Sequence, residues 1–146
     1  MKKYLLILII ILLGGCSSNK SNIYLEDKLY SNNGFIDIDS SYIEDNLDNN
    51  YLLYIYNNYC SMKIPCENIF KEVMDSYNIS MYSISFKEFK STYLYDVVKY
   101  APSVIIVSNG EVIDYLDSNK DSDYDKYQST KEFSKWLKEY IEIKKK

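Results

Sequence analysis

Ala101-Pro102-Ser103-Val104-Ile105-Ile106-Val107-Ser108-Asn109-Gly110 is the stretch from which the fold can be read. Val104 to Val107 is a continuous apolar run of strand length, the pattern of a strand covered on both faces. Asn109-Gly110 then separates it from a second apolar-rich run, Glu111 to Leu116, and Asn-Gly in that setting is the strongest short-range hairpin signal. Two antiparallel strands entered through a proline are therefore expected here.

Working outward, Thr92 to about Tyr100 reads as a helix before the proline, and Ile79 to Phe86 alternates like a strand. Farther back, Ile69, Phe70, Val73, Met74 and Tyr77 recur at helical spacing behind Pro65, a residue that suits a first helical turn. Glu67 suits the positive end of that helix. Tyr51 to Tyr56 is an apolar and aromatic run expected to form a central strand. Ser40-Ser41 can cap a helix through Tyr42, Ile43 and Leu47, preceded by a short strand from Phe35 to Ile38.

Downstream, Asp117 to Asp125 reads as a solvated acidic connection. Its spacing through Gln128 imitates a calcium loop but lacks the glycine at the sixth position and the glutamate at the twelfth, so no metal is expected. Thr130 caps a last amphipathic helix carrying Phe133, Trp136, Leu137, Tyr140 and Ile141, with Trp136 expected in the core. The order is β, α, β, α, β, α, β, β, α.

The N-terminus is of another kind. Lys2-Lys3, an apolar run from Tyr4 to Leu13 and the small residues Gly14-Gly15 form the three parts of a signal peptide. The apolar run is shorter than the roughly 20 residues a membrane-spanning helix needs. Leu13-Gly14-Gly15-Cys16 resembles the lipobox of bacterial lipoproteins, which implies cleavage before Cys16, lipidation of that cysteine and an extracytoplasmic location on the cell membrane. The expected division is a signal peptide over 1–15, a polar lipid-anchored linker over 16–33 with Ser17 to Asn22 its most polar part, and one domain over 34–146.

Composition narrows the chemistry. Loss of Lys2 and Lys3 takes the net charge from −4 to −6, and all 17 basic residues are lysine, spread along the chain, so a nucleic-acid-binding face is not expected. The sequence has no histidine, which removes Ser-His-Asp and Cys-His nucleophile pairs and His-ligated metal centres. The 17 tyrosines are read as compositional bias rather than as a binding signature. With Cys16 carrying a lipid, Cys60 and Cys66 remain as a pair in a compartment where disulfides persist.

The element order, a cysteine just after the second strand and a proline opening the hairpin together resemble the thioredoxin-like fold, over roughly Phe35 to Ile143. The resemblance implies a three-layer α/β/α sandwich with a mixed central sheet. It lays Tyr59 on the family's tryptophan position, Cys60 on the attacking cysteine and Lys63 on the place of the partner cysteine. It also makes Ala101-Pro102 the cis-proline loop, where the backbone of Ala101 pairs with the polypeptide being processed. The spacing of five between Cys60 and Cys66 departs from the family's two.

Two cysteines six positions apart in one helix stand about 9 Å apart along its axis, beyond the roughly 7 Å that disulfide Cα atoms allow. A bond between them requires a loop, and a helix beginning at Pro65 supplies one, with Cys66 in its first turn. There the unpaired N–H groups and Lys63 would favour a thiolate. The functional reading is thiol-disulfide exchange on exported protein thiols or disulfides, with Cys60 attacking, Cys66 resolving, and Tyr59, Ala101 and Pro102 binding substrate, in a monomer needing no cofactor. The alternative is a non-catalytic accessory or binding module in which Cys60-Cys66 is a structural staple.

Overall fold

A computed structural model of the chain describes residues 22–58 and 62–143. Five strands, β1 (Gly34–Asp37), β2 (Asn50–Tyr56), β3 (Ser80–Ser85), β4 (Ser103–Ser108) and β5 (Glu111–Asp117), form one sheet in the order β1-β3-β2-β4-β5. The β1/β3 and β2/β3 pairs are parallel, and β2/β4 and β4/β5 are antiparallel. Five α-helices surround it: α1 (Ser40–Asp45), α2 (Cys66–Tyr77), α3 (Phe86–Phe89), α4 (Tyr124–Gln128) and α5 (Thr130–Tyr140). The result is a mixed-sheet α/β sandwich of the thioredoxin-like kind.

The central strands are buried because helices cover both faces. Residues opposite one another across a ladder share a face. Phe35, Tyr54 and Val104 face α2 and α5, with ring centroids 5.2 Å apart for Phe35–Tyr54, 5.3 Å for Tyr54–Phe70 and 4.5 Å for Phe70–Phe133. Tyr51, Tyr82 and Ile105 face the other way, where the ring of Tyr42 of α1 lies tilted against Tyr82 at 4.9 Å and Tyr93 stands against Tyr51. Trp136 is buried as expected, and its indole N–H donates to Asp114 of β5 at 2.7 Å.

The hairpin forms where the sequence puts it. Asn109 and Gly110 take φ of 49° and 76°, the paired positive values of the tight turn that matches strand twist. A bulge follows, since Ile106 pairs with Asp114 but Val107 with Val112, leaving Ile113 as the extra, exposed residue on β5.

Four expectations need correction. Residues 22–33, assigned to the polar linker, belong to the domain from Ile23 onward: Leu25 and Leu29 are fully buried and Ile23 pairs in parallel with Ile141. Two isolated leucines at helical spacing are too weak a pattern to stand out in a polar stretch. The helix expected over Thr92 to Tyr100 is a single 3-10 turn, Tyr93–Asp96, and Thr92 spends its hydroxyl on the Phe89 carbonyl. A regular helix forms earlier, as α3, because Ser85 accepts from the Glu88 N–H and caps it within the Ser-x-x-Glu pattern. The acidic connection is half-structured, with Asp117 and Asp123 buried and α4 at its end.

Candidate functional site

The cysteine side of the site is built by the exit from β2 and the entry to α2. β2 ends at Tyr56, Asn57 and Asn58 follow, and α2 starts at Cys66 with Pro65 as its N-cap. Tyr59 and Cys60 lie outside the described residues, as does Cys16. Residues 62–65 are irregular and α2 begins after Pro65, as the loop argument required. Lys63 is exposed.

Cys66 is 1% exposed in the first turn of α2. Its Sγ is 3.5 Å from the hydroxyl of Tyr54, which also donates to Glu67 Oε1 at 3.2 Å. Strand alternation aims Tyr54 at the helix start: on β2, every second side chain faces α2. Burial, then the proximity of Cys66 and of the Glu67 carboxylate, pushes the Tyr54 phenol far above its ordinary range. Tyr54 therefore remains a neutral hydrogen-bond donor beside the sulfur at any physiological pH.

The proline side comes from the start of β4. Ser103 pairs with Ile55 in the antiparallel ladder, which sets Pro102 level with the carboxyl end of β2. The Ala101–Pro102 peptide bond is cis. Asn57 donates its side-chain amide to the Ala101 carbonyl at 2.6 Å, tying the residue after β2 to the residue before the proline. Ala101 therefore has a carbonyl lone pair already in use within the chain.

Both sides meet on α4. The Tyr127 hydroxyl is shared between the carbonyls of Pro102, at 3.0 Å, and Leu116, at 2.8 Å. Burial, followed by the electrostatic influence of Cys66, holds that phenol well above its usual range, so it too stays protonated. The neighbouring Gln128 accepts from the Ile64 N–H at 2.9 Å and donates to the Ile64 carbonyl at 2.8 Å. Beyond the end of β2 a groove of about 770 Å³ opens between Tyr56 and Asn57 on one wall and Phe86, Lys87 and Lys90 on the other.

Of the residues expected to form the site, Cys66 opens α2 and Ala101 and Pro102 precede β4, all toward the end of the sheet where β2 finishes. Tyr54, Asn57, Tyr127 and Gln128 were missed. Only Tyr54 carried a usable signal, a hydroxyl at an inward position of a central strand, where a buried polar tip needs a partner. Among the described residues no cluster of acidic or cysteine side chains has the composition of a metal site. Asp117 and Asp123 instead accept from backbone N–H groups of Asn119 and Asp117, at 2.9 and 3.0 Å.

No protein-family model and no curated protein matches the sequence. Solved structures do match. A mutant thioredoxin from Halobacterium salinarum superposes with a TM-score of 0.52 at 14% identity, over 80% of this chain and 96% of that one. A thioredoxin from Nicotiana alata gives 0.52 at 16% identity, over 76% and 96%. The fold is thioredoxin-like.

Proposed function

We propose that the chain is an extracytoplasmic lipoprotein that exchanges thiols and disulfides with exported proteins through Cys60 and Cys66. The observation that carries this reading is the setting of Cys66, a buried sulfur in the first turn of α2 with the neutral Tyr54 hydroxyl 3.5 Å away, in a fold that also holds a cis Ala101–Pro102 bond. Burial suits a resolving sulfur, which has to reach only its partner cysteine and never the client.

In the exchange, the Cys60 thiolate attacks one sulfur of a client disulfide, forming a mixed disulfide and releasing the other client sulfur as a thiolate. Cys66, deprotonated, then attacks Cys60; the intermolecular bond breaks, the client leaves with two thiols, and the couple is oxidised by two electrons. A helix N-terminus lowers the energy of the attacking anion. The groove beside Tyr56 and Phe86 supplies a wall for the client chain, and Lys87 and Lys90 favour acidic segments. Tyr59, Ala101 and Pro102 are the proposed substrate contacts.

The anchor reading gains support from the entry of the chain into the domain. Tyr24 and Glu26 join it at Asn50, the start of β2, while the cysteine end lies past Tyr56. Seven strand residues at about 3.3 Å each separate the two by roughly 20 Å. A lipid on Cys16 would thus leave the cysteines on the pole away from the bilayer.

Burial of Cys66 equally suits a permanent staple on a binding module, and reduction potential separates the two readings. The full chain in detergent is equilibrated with glutathione and its thiols trapped. A potential between about −270 and −120 mV, with insulin reduction lost in Cys60→Ser, is expected for exchange; a value below about −300 mV without insulin reduction leaves the staple. Mass spectrometry of the membrane-extracted protein is expected to find the lipid on Cys16 and none in Cys16→Ser.

A further inference from the structure

The five residues between Cys60 and Cys66 pose a problem that a two-residue spacer does not. Closing a longer loop costs more entropy, and a flexible spacer would hold the two sulfurs apart for much of the time. Of the described loop residues, only Met62 packs against the core; Lys63, Ile64 and Pro65 are exposed, with Ile64 at 39%. Side-chain burial therefore does not fix the segment just before Cys66.

What fixes it is the side chain of Gln128. Its amide closes a two-bond ring with the peptide of Ile64, accepting from the N–H at 2.9 Å and donating to the carbonyl at 2.8 Å, as a neighbouring strand would. The same amide nitrogen lies 3.0 Å from the Tyr127 carbonyl, which limits its swing. Only a carboxamide offers donor and acceptor side by side in this geometry. Tyr127, the preceding residue, holds the Pro102 carbonyl. Two adjacent residues of α4 thus grip the cysteine loop and the proline loop.

We propose that Gln128 is a positioning residue that pre-orders the cysteine loop and so sets the equilibrium between its dithiol and disulfide forms. The proposal rests on Cys60 and Cys66 being a redox couple. By holding Ile64 before a bond forms as well as after it, the clasp removes in advance part of the freedom that disulfide formation would take away, and the disulfide becomes more favourable.

The test is the equilibrium in which oxidised glutathione converts the dithiol to the Cys60–Cys66 disulfide and two molecules of reduced glutathione. It is measured on the full chain for the wild type, Gln128→Ala and Gln128→Met. Methionine keeps the length and packing of the stem and loses both hydrogen bonds. Both variants are expected to lower the oxidation constant about tenfold, equivalent to about 30 mV toward a more oxidising couple. A constant within twofold of wild type in both, or a shift in Gln128→Ala that Gln128→Met does not share, overturns the proposal.

A wild type that forms no intramolecular disulfide in glutathione sinks the redox reading and the clasp's role together. A wild type that forms it while the variants match it sinks the clasp alone. Hydrogen exchange needs no variant and covers the case in which substitution disrupts folding. The Ile64 amide is expected to exchange at least tenfold more slowly than an unstructured peptide, and exchange at the unstructured rate overturns the clasp.

Discussion

The two halves of the site are held in different ways. The proline half, from Ala101 through the β4–β5 hairpin, is fixed mostly by its own backbone: a continuous ladder to β2, a second to β5 and a tight turn at Asn109-Gly110. The cysteine half, in its described residues 57–58 and 62–66, has no ladder and is met by side chains from other positions, chiefly Tyr54, Phe70 beneath the helix start and Gln128. A hairpin can be read from local residues and tolerates distant changes. A side-chain-supported loop is adjustable, which would suit the sulfur rearrangements of the proposed exchange.

Removing the shared floor should cost most. Phe70 is fully buried between Tyr54, Tyr127 and Phe133, and Phe70→Ala is expected to lower unfolding free energy by about 4 kcal/mol, read from urea denaturation. The hairpin's own weak point is Gly110, where φ is +76° and an added Cβ would sit 3.3 Å from the Leu47 carbonyl oxygen. Gly110→Val is expected to cost about 2 kcal/mol. It should leave the glutathione equilibrium unchanged; a large redox shift would show that the two halves are not separately supported.

Asp123 reports on the far end of the hairpin, where it accepts from the Asp117 N–H and pairs with Lys126 at 2.8 Å. Burial works against its charged form, but the Lys126 and Asp117 contacts prevail and hold the carboxyl below the usual aspartate range. A depressed carboxylate stabilises the fold above its unfolded value of about 3.9, and that contribution is lost as pH falls through the folded value. Asp123→Ala should therefore cost about 1–2 kcal/mol at pH 7, and the gap from wild type should narrow below about pH 4 in thermal melts. A gap independent of pH would assign the cost to packing.

The smallest stability effect and the most local redox effect belong to Tyr54→Phe. Loss of one hydroxyl should change stability by under about 1 kcal/mol. Losing a donor to the sulfur disfavours the thiolate, so ultraviolet titration of the reduced protein should show Cys66 ionising at higher pH than in the wild type. No change would mean that Tyr54 serves Glu67 alone.

Legibility followed the same division. Val104 to Val107, Asn109-Gly110 and Tyr51 to Tyr56 were readable because each element's signal lies inside it, and the fold followed from their order. Ser85-x-x-Glu88 was lost because the cap sits at the end of an alternating run, where period-two reading carries on into the helix. Cys66 was singled out by cysteine counting, and Ala101-Pro102 by the resemblance to the thioredoxin-like fold. Tyr54, Tyr127 and Gln128 act on residues 12, 25 and 64 positions away, separations no local pattern encodes.

The Ile23–Ile141 bridge has a mechanical meaning. The Ile23 N–H donates to the Tyr140 carbonyl at 2.6 Å, and the Glu142 N–H donates to the Ile23 carbonyl at 2.9 Å. Tension arriving along the segment before Asn22 meets this pair of bonds first and passes into the end of α5. The sheet and its cysteine end lie behind that clamp, so a pull on the N-terminal segment loads a terminus before it can deform the sheet.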